Sequence, residues 1–219
     1  EEIPTALSQF IQKAVTDDYD YYRIPRKNII FGKWIKHAGW WPDHQVRFFK
    51  KGSVKWANNI HGVPVTKGNG TDIEAFEHLS IIHHKYQTID QYISRLNRYT
   101  IIEAKEYFLA NKKFHFSHLF DAPTKEFVSL FFVREGYKDG LHGLGLAILQ
   151  SFSEIVLYLK VWELEGFVQE KVKLTQIEKE FENEFKQKQY WITHSLLTQD
   201  YSFFQKFLWK LKRKFHYYG

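Results

Sequence analysis

Hydrophobic positions change their period near residue 87 of this chain, from the alternation of strands to the three-to-four spacing of helices. Ahead of that point, residues 5–15 put Leu7, Phe10 and Ile11 on one side of a helix that starts behind Pro4, with Thr5 as its cap. Residues 16–22 read as a polar, aromatic turn. Residues 21–35 read as extended chain broken at Pro25 and Gly32. Residues 45–50 predict a short strand, Lys51-Gly52 a turn, and residues 54–56 its returning partner. Residues 61–70 carry Gly62, Gly68 and Gly70 and read as loop, and residues 79–83 as a further strand.

Behind that point, Ile89, Tyr92, Ile93, Leu96 and Tyr99 recur at helical spacing after Thr88, which predicts a capped helix over 88–109. Pro123 predicts a helix start near 125, running to 134. A glycine-punctuated loop over 137–145 leads into a long apolar helix ending near 165. A charged helix over 173–188 and a basic, aromatic one over 203–218 complete the chain. A strand-rich front followed by a helical back predicts an α/β or α+β architecture with a helical C-terminal extension. The long apolar stretch, residues 144–162, matches a membrane span in length, but Glu154 and Lys160 interrupt it. It is expected to be a buried core helix, the alternative being a helix lying against a membrane.

Composition narrows the class. The chain has 219 residues, 44% hydrophobic and 18% aromatic, which excludes a disordered tail and leaves room for a core. Cysteine is absent, so disulfides, thiolate zinc sites and a cysteine nucleophile are excluded. A net charge of +6 raises the prospect of an anionic partner. The opening Glu1-Glu2-Ile3-Pro4 has no signal-peptide character. With no methionine anywhere, the chain is expected to be a processed product or an excised fragment.

The densest candidate chemistry is the run Trp40-Trp41-Pro42-Asp43-His44-Gln45-Val46-Arg47-Phe48. Pro42 turns the chain and Asp43 enters a strand. Strand alternation then puts Asp43, Gln45 and Arg47 on one face and His44, Val46 and Phe48 on the other. A carboxylate, an amide and a guanidinium beside two tryptophans suit a polar, anionic ligand. Asp43 can act as general base, and Arg47 can hold a phosphate bidentately. Trp40 and Trp41 can form a sugar-stacking platform or a pocket wall. The same residues also read as a surface Asp–Arg pair beside buried aromatics.

His61, where a strand gives way to a glycine-rich loop, is either a metal ligand or an ordinary surface histidine. His83 and His84 face opposite ways on a strand, so one of them can enter a given site. His84 or Lys85 would meet a pyrophosphate; the plainer alternative is hydrogen bonding within the fold. Asp139-Gly140-Leu141-His142-Gly143 reads as an anion-binding helix start or as a cap with a tight turn. At the C-terminus Phe204, Phe207, Leu208 and Leu211 make one stripe, with Lys206, Lys210, Arg213 and Lys214 off it. That suits an interfacial membrane anchor, or a packed helix with snorkelling lysines. Phosphate-loop, dinucleotide, metalloprotease and nucleophile-elbow motifs do not occur.

Three runs together resemble the second half of bacterial family 2 glycosyltransferases of the lipopolysaccharide-core and capsule type. The first is Gly32-Lys33-Trp34-Ile35 with Gly39-Trp40-Trp41-Pro42-Asp43-His44-Gln45-Val46-Arg47-Phe48-Phe49-Lys50-Lys51-Gly52. The second is Trp56, Ile60-His61, Leu79 and His83-His84-Lys85-Tyr86, followed by Asn97-Arg98-Tyr99-Thr100 and Glu103-Ala104. The third is Pro123-Thr124-Lys125-Glu126-Phe127, Gly136-Tyr137-Lys138-Asp139-Gly140-Leu141-His142-Gly143 and Leu159-Lys160-Val161-Trp162-Glu163. The resemblance covers residues 1–165 and leaves 166–219 unmatched.

It implies a partial GT-A fold, a nucleotide-diphospho-sugar donor, and a divalent metal, Mn or Mg, used with an Asp-x-Asp. That motif typically stands just before a segment like Glu1-Glu2-Ile3-Pro4. The donor-binding half is therefore expected to lie outside this chain, which alone is expected to be inactive. The resemblance implies Asp43 as the base of an inverting transfer, and Trp41, Gln45, Arg47, His84 and Lys85 as substrate contacts. It implies His61 as a metal ligand, although Gly62 stands where the family has an acidic residue. It also implies a cell-envelope glycan or lipid-linked acceptor and a cytoplasmic enzyme peripheral to the inner membrane face. The organisation expected is an acceptor-side portion over 1–100, a helical region over 101–165 and C-terminal helices over 166–219. A non-catalytic membrane- or partner-binding module is the alternative. Nucleic acid is not expected, since the basic residues are dispersed and no nucleic-acid motif is present.

Overall fold

The computed structural model of the protein describes residues 1–56, 64–199 and 201–217, with 203 and 212–217 described by their backbone alone. The chain is mixed α/β, with a small open sheet and six α-helices among the described residues. It divides into two compact units, Glu1–Ile93 and Ser94–Gly219.

In the first unit, α1 spans Thr5–Ala14. Pro4, at φ −62°, is its N-cap in place of Thr5, and no side chain caps it. Leu7, Phe10, Ile11 and Ala14 recur at helical spacing and meet Tyr22, Ile24, Ile73 and Ile81 in one apolar cluster. Leu7 is fully buried, a contribution of roughly 2 kcal/mol relative to exposure.

Strand β1, Tyr21–Ile30, is the centre of the sheet. It runs through Pro25 rather than breaking there. Its parallel partners are β6, Gly70–Asp72, and β7, Ile81–Tyr86. The last pair with β6 is Arg23–Asp72 and the first with β7 is Arg26–Ile81, so Pro25 stands in the gap between them. A residue without an N–H is tolerated where that side of the ladder is interrupted. Phe31 and Gly32, both at positive φ, turn the chain into β2, Lys33–Trp34, as a two-residue hairpin.

On the other side of β1 lies antiparallel β3, Asp43–Phe49. Its register pairs Asp43 with Arg26 and Gln45 with Ile24, then shifts so that Val46 pairs with Arg23 and Phe48 with Tyr22. Arg47 is thus the extra residue of a bulge. Alternation does not carry past it, and Phe48 stacks on Tyr22 at 5.3 Å and joins the core instead of continuing the His44–Val46 face. The expected return of residues 54–56 onto this strand is also corrected. Strand β4, Val54–Lys55, pairs instead with β5, Val65–Thr66, in a separate two-stranded sheet.

Helix α2, Ile89–Leu109, runs across the boundary between the units. Thr88 Oγ1 accepts the Gln91 N–H at 3.1 Å, the cap its sequence predicts. In the second unit α3 is His118–Val128, with Pro123 inside it and not before it. A π-helical turn over Ser129–Val133 and a 3-10 turn over Gly136–Asp139 lead to α4, Leu141–Leu164. Helices α5, Leu174–Leu197, and α6, Phe203–Tyr217, follow.

α4 and α5 both pack on α3. Ser151 of α4 donates to the Pro123 carbonyl at 2.9 Å, and Thr124 of α3 donates to Glu184 of α5 at 3.0 Å. Gly143 is required by close approach, since a Cβ there would lie 1.9 Å from the Gly136 carbonyl oxygen. The core-helix expectation for α4 is overturned. Only 17% of its most apolar 18-residue window is buried, and its buried residues are Gly143, Leu146, Ala147 and Val161.

Candidate functional site

The polar end of the first unit's sheet is built from three adjacent strands. β1 supplies Arg26 and Asn28, β3 supplies Asp43 and Gln45, and β7 supplies His83. Registers Arg26–Asp43 and Asn28–His83 bring these side chains together. Arg26 holds Asp43 Oδ2 through Nε at 3.0 Å and Nη2 at 2.5 Å. Asn28 Nδ2 donates to the same oxygen at 3.0 Å, and Gln45 Nε2 donates to Oδ1 at 2.8 Å. Burial by itself would raise the Asp43 pKa. The hydrogen bonds from Asn28, Arg26 and Gln45, with the Arg26 charge, outweigh it and hold the carboxyl below its ordinary value.

Asn28 is fully buried and every polar atom of its amide is used. Its Nδ2 also donates to the Trp40 carbonyl at 2.9 Å, and its Oδ1 lies 2.8 Å from His83 Nδ1. An acceptor oxygen at that distance requires Nδ1 to carry the proton, which leaves Nε2 of the neutral ring as an acceptor. Burial and the Arg26 charge push the His83 pKa down to about 4, so the ring is neutral at pH 7.

Glu1 ties Arg47 into the same group. Its carboxylate accepts from Arg47 Nε at 3.1 Å and Nη2 at 3.2 Å and lies 3.6 Å from Arg26 Nη1. Beside it stands a cation–indole cluster. Lys27 and Lys36 lie 4.6 and 4.2 Å from the ring centre of Trp34, and Lys85 lies 4.3 Å from that of Trp40. Trp41 packs edge-on against Trp34 at 5.1 Å. The indole nitrogens of Trp34 and Trp40 are buried without a hydrogen-bond partner among the described residues. Each is a donor that a ligand oxygen or a water would satisfy.

Of the residues predicted from sequence, Asp43, Gln45 and Arg47 form one polar group with each other and Glu1. Lys85 joins it through Trp40, whose carbonyl holds Asn28. Trp41 packs on Trp34, and Lys85 lies over one face of Trp40. His84 turns away, its Nε2 2.9 Å from Glu2 Oε1, and His83 takes the place in the group. His61 lies outside the described residues. Arg26 and Asn28 escaped the sequence reading because they come from another strand, and of the two histidines weighed there the register selects His83. Their signal was an Arg and an Asn two residues apart in the extended run, at residues 26 and 28, which alternation places on one face.

Among the described residues no group of three or more His, Asp or Glu side chains is arranged to hold a metal ion. At the start of α4, Gly140 at φ +66° is the N-cap and Asp139 is buried, which accords with the cap-and-turn reading of 139–143. No family model matches the chain, and no solved structure matches it.

Proposed function

We propose that this chain is the acceptor-side portion of an inverting glycosyltransferase of GT-A type, with the donor-binding half supplied by sequence outside it. The reaction moves a sugar from a nucleotide-diphospho-sugar to a hydroxyl of a cell-envelope glycan or glycolipid. The observation that carries the reading is the oriented, ionised carboxylate of Asp43, held by Arg26, Asn28 and Gln45 beside a wall of tryptophan and lysine. It is joined by the ordered sequence resemblance through Trp162.

In this reading Asp43 takes the proton of the acceptor hydroxyl as that oxygen attacks the anomeric carbon. The new C–O bond forms as the bond to the diphosphate breaks from the opposite side, and configuration inverts. Arg26 keeps Asp43 in the charged form that can accept a proton, at the expense of basicity. Its acid limit of activity therefore lies below the ordinary carboxylate range. Gln45 fixes the carboxylate plane. Arg47 and the lysines favour an acceptor that carries negative charge. No step is assigned to a metal.

The test uses the full-length native protein in its source cell, with Asp43→Asn at the genomic locus. Mass spectrometry of extracted envelope glycans is expected to show loss of one sugar residue at unchanged protein level. Unaltered glycans would remove Asp43 from the chemistry. An unaltered profile in a full deletion as well would sink the transferase reading itself.

A further inference from the structure

We propose that a cleft between α3 and α5 binds a carbohydrate, an uncharged pyranose unit with an apolar ring face and several free hydroxyls. The inference concerns the second unit alone and does not depend on the transferase reading. The cleft has a volume of about 360 Å³ and is lined by Asp121 of α3 and by Asn183, Lys186, Gln187, Tyr190 and Trp191 of α5. That volume is of the size that holds small molecules. On α5, Asn183, Gln187 and Tyr190 fall within about 60° of arc, with Lys186 and Trp191 about 40° beyond its two edges. The two helices are tied to each other by the hydrogen bond from Thr124 to Glu184 at 3.0 Å and by Phe120, edge-on against Phe181 at 5.2 Å.

The polar groups of this lining are uncommitted. Among the described residues, the side chains of Asp121, Asn183, Lys186 and Gln187 make no hydrogen bond and no ion pair within the protein. Asp121 and Lys186 carry opposite charges on one cleft and do not meet. Glu184, next to Asn183 on α5, is committed twice, to Thr124 and to Lys188. The aromatic groups, by contrast, are fixed by one another. Tyr190 stacks on His194 at 6.0 Å, and Trp191 stands at 90° to Tyr190 and 78° to His194, 5.5 Å from each. One space is thus bounded both by available polar atoms and by rings of set inclination.

The chemistry of the lining selects the ligand. An ionised Asp121 only accepts hydrogen bonds, Lys186 only donates, and Asn183 and Gln187 do both. A hydroxyl also does both, so neighbouring hydroxyls on one ring satisfy all four groups. A phosphate offers acceptors alone and would set its charge against the Asp121 carboxylate, with a single ammonium to hold it. A cation would meet Lys186. An apolar ligand would strip water from four polar groups and return no hydrogen bond. The carboxylate and the ammonium offset each other, which favours a ligand without net charge. The C–H face of a pyranose supplies the apolar surface that the rings of Tyr190 and Trp191 bury, while the ring edge keeps its hydroxyls.

The experiment is saturation-transfer NMR of the whole chain with the methyl glycosides of glucose, galactose, mannose and N-acetylglucosamine. Sorbitol, which has the hydroxyls but no ring face, is the control. At least one glycoside is expected to receive saturation on its ring C–H protons, and sorbitol none. Asp121→Ala/Asn183→Ala is expected to weaken that binding about tenfold or more, with helicity unchanged by circular dichroism, since neither side chain bonds within the fold. Trp191→Ala is expected to abolish it, and the polar pair serves if this variant does not fold. Transfer to none of the glycosides at millimolar concentration overturns the proposal, as does equal transfer to sorbitol. Binding kept in the cleft variants and lost in Asp43→Asn would assign the sugar to the first unit's site and overturn the proposal here, while leaving the transferase reading intact.

Discussion

Asn28 and Asp43, fifteen residues apart in sequence, share a 3.0 Å hydrogen bond from a fully buried amide to a carboxylate oxygen that Arg26 also holds. The same amide reaches Trp40 and His83, so one side chain joins β1, the loop before β3, β3 and β7. Nothing apolar of similar size can replace it without stranding the Trp40 carbonyl, the His83 ring proton and part of the Asp43 carboxylate.

Asn28→Leu is therefore expected to lower the free energy of unfolding by about 3 kcal/mol, the scale for stranding buried polar partners. Urea denaturation of the whole chain measures it. A loss under about 0.5 kcal/mol, the scale of an ordinary surface change, would show that the network carries no stability.

His83 is expected to make the first unit sensitive to mild acid. Its pKa falls from 6.5 to about 4 on folding, so the unfolded chain takes up a proton near pH 6.5 that the folded chain refuses until about pH 4. Stability contributed by this group is present above pH 6.5 and lost as pH falls through that window. Melting temperatures from pH 7 to pH 4 should fall less steeply in His83→Gln than in wild type. Parallel curves would show that the ring titrates normally.

Glu154 is expected to act in the opposite sense. Burial first, then the charges of Glu126 and Glu103, raise its pKa from 4.5 to about 7. The folded chain keeps a proton that the unfolded chain releases. This group's contribution is full below pH 4.5 and is lost as pH rises toward 7. Glu154→Gln should accordingly gain melting temperature relative to wild type as pH is raised from 5 to 8. A constant difference across that range would remove the buried carboxyl from the pH response.

Periodicity made the helices legible. The cap at Thr88, the stripe of α1 and the long runs of α4 to α6 follow from local spacing, because an α-helix closes its hydrogen bonds within a few residues. The strand face of Asp43, Gln45 and Arg47 was legible for the same reason, as alternation is local. Past Arg47 it was not. A bulge answers to the facing strand, and β1 lies some twenty residues earlier. The helix through Pro123 was missed because its start near His118 carries no residue pattern as strong as proline's veto.

Partnership was decided by tertiary structure alone. Strand pairing set β4 on β5 rather than on β3, and it chose His83 over His84 as the neighbour of Asn28. Adjacent residues on a strand face opposite ways, and the sequence does not say which face meets β1. Burial was equally nonlocal. The sequence by itself determined that α4 is long, apolar and interrupted by two charges. Only the packing of α2 and α3 against it decided that Lys160 is bonded to α2, that Glu154 is half-buried toward Glu126 and Glu103, and that Leu141, Ile148, Phe152 and Leu159 are exposed. Hydrophobicity states what a side chain gains by leaving water, and the arrangement of distant elements decides whether the protein provides the place.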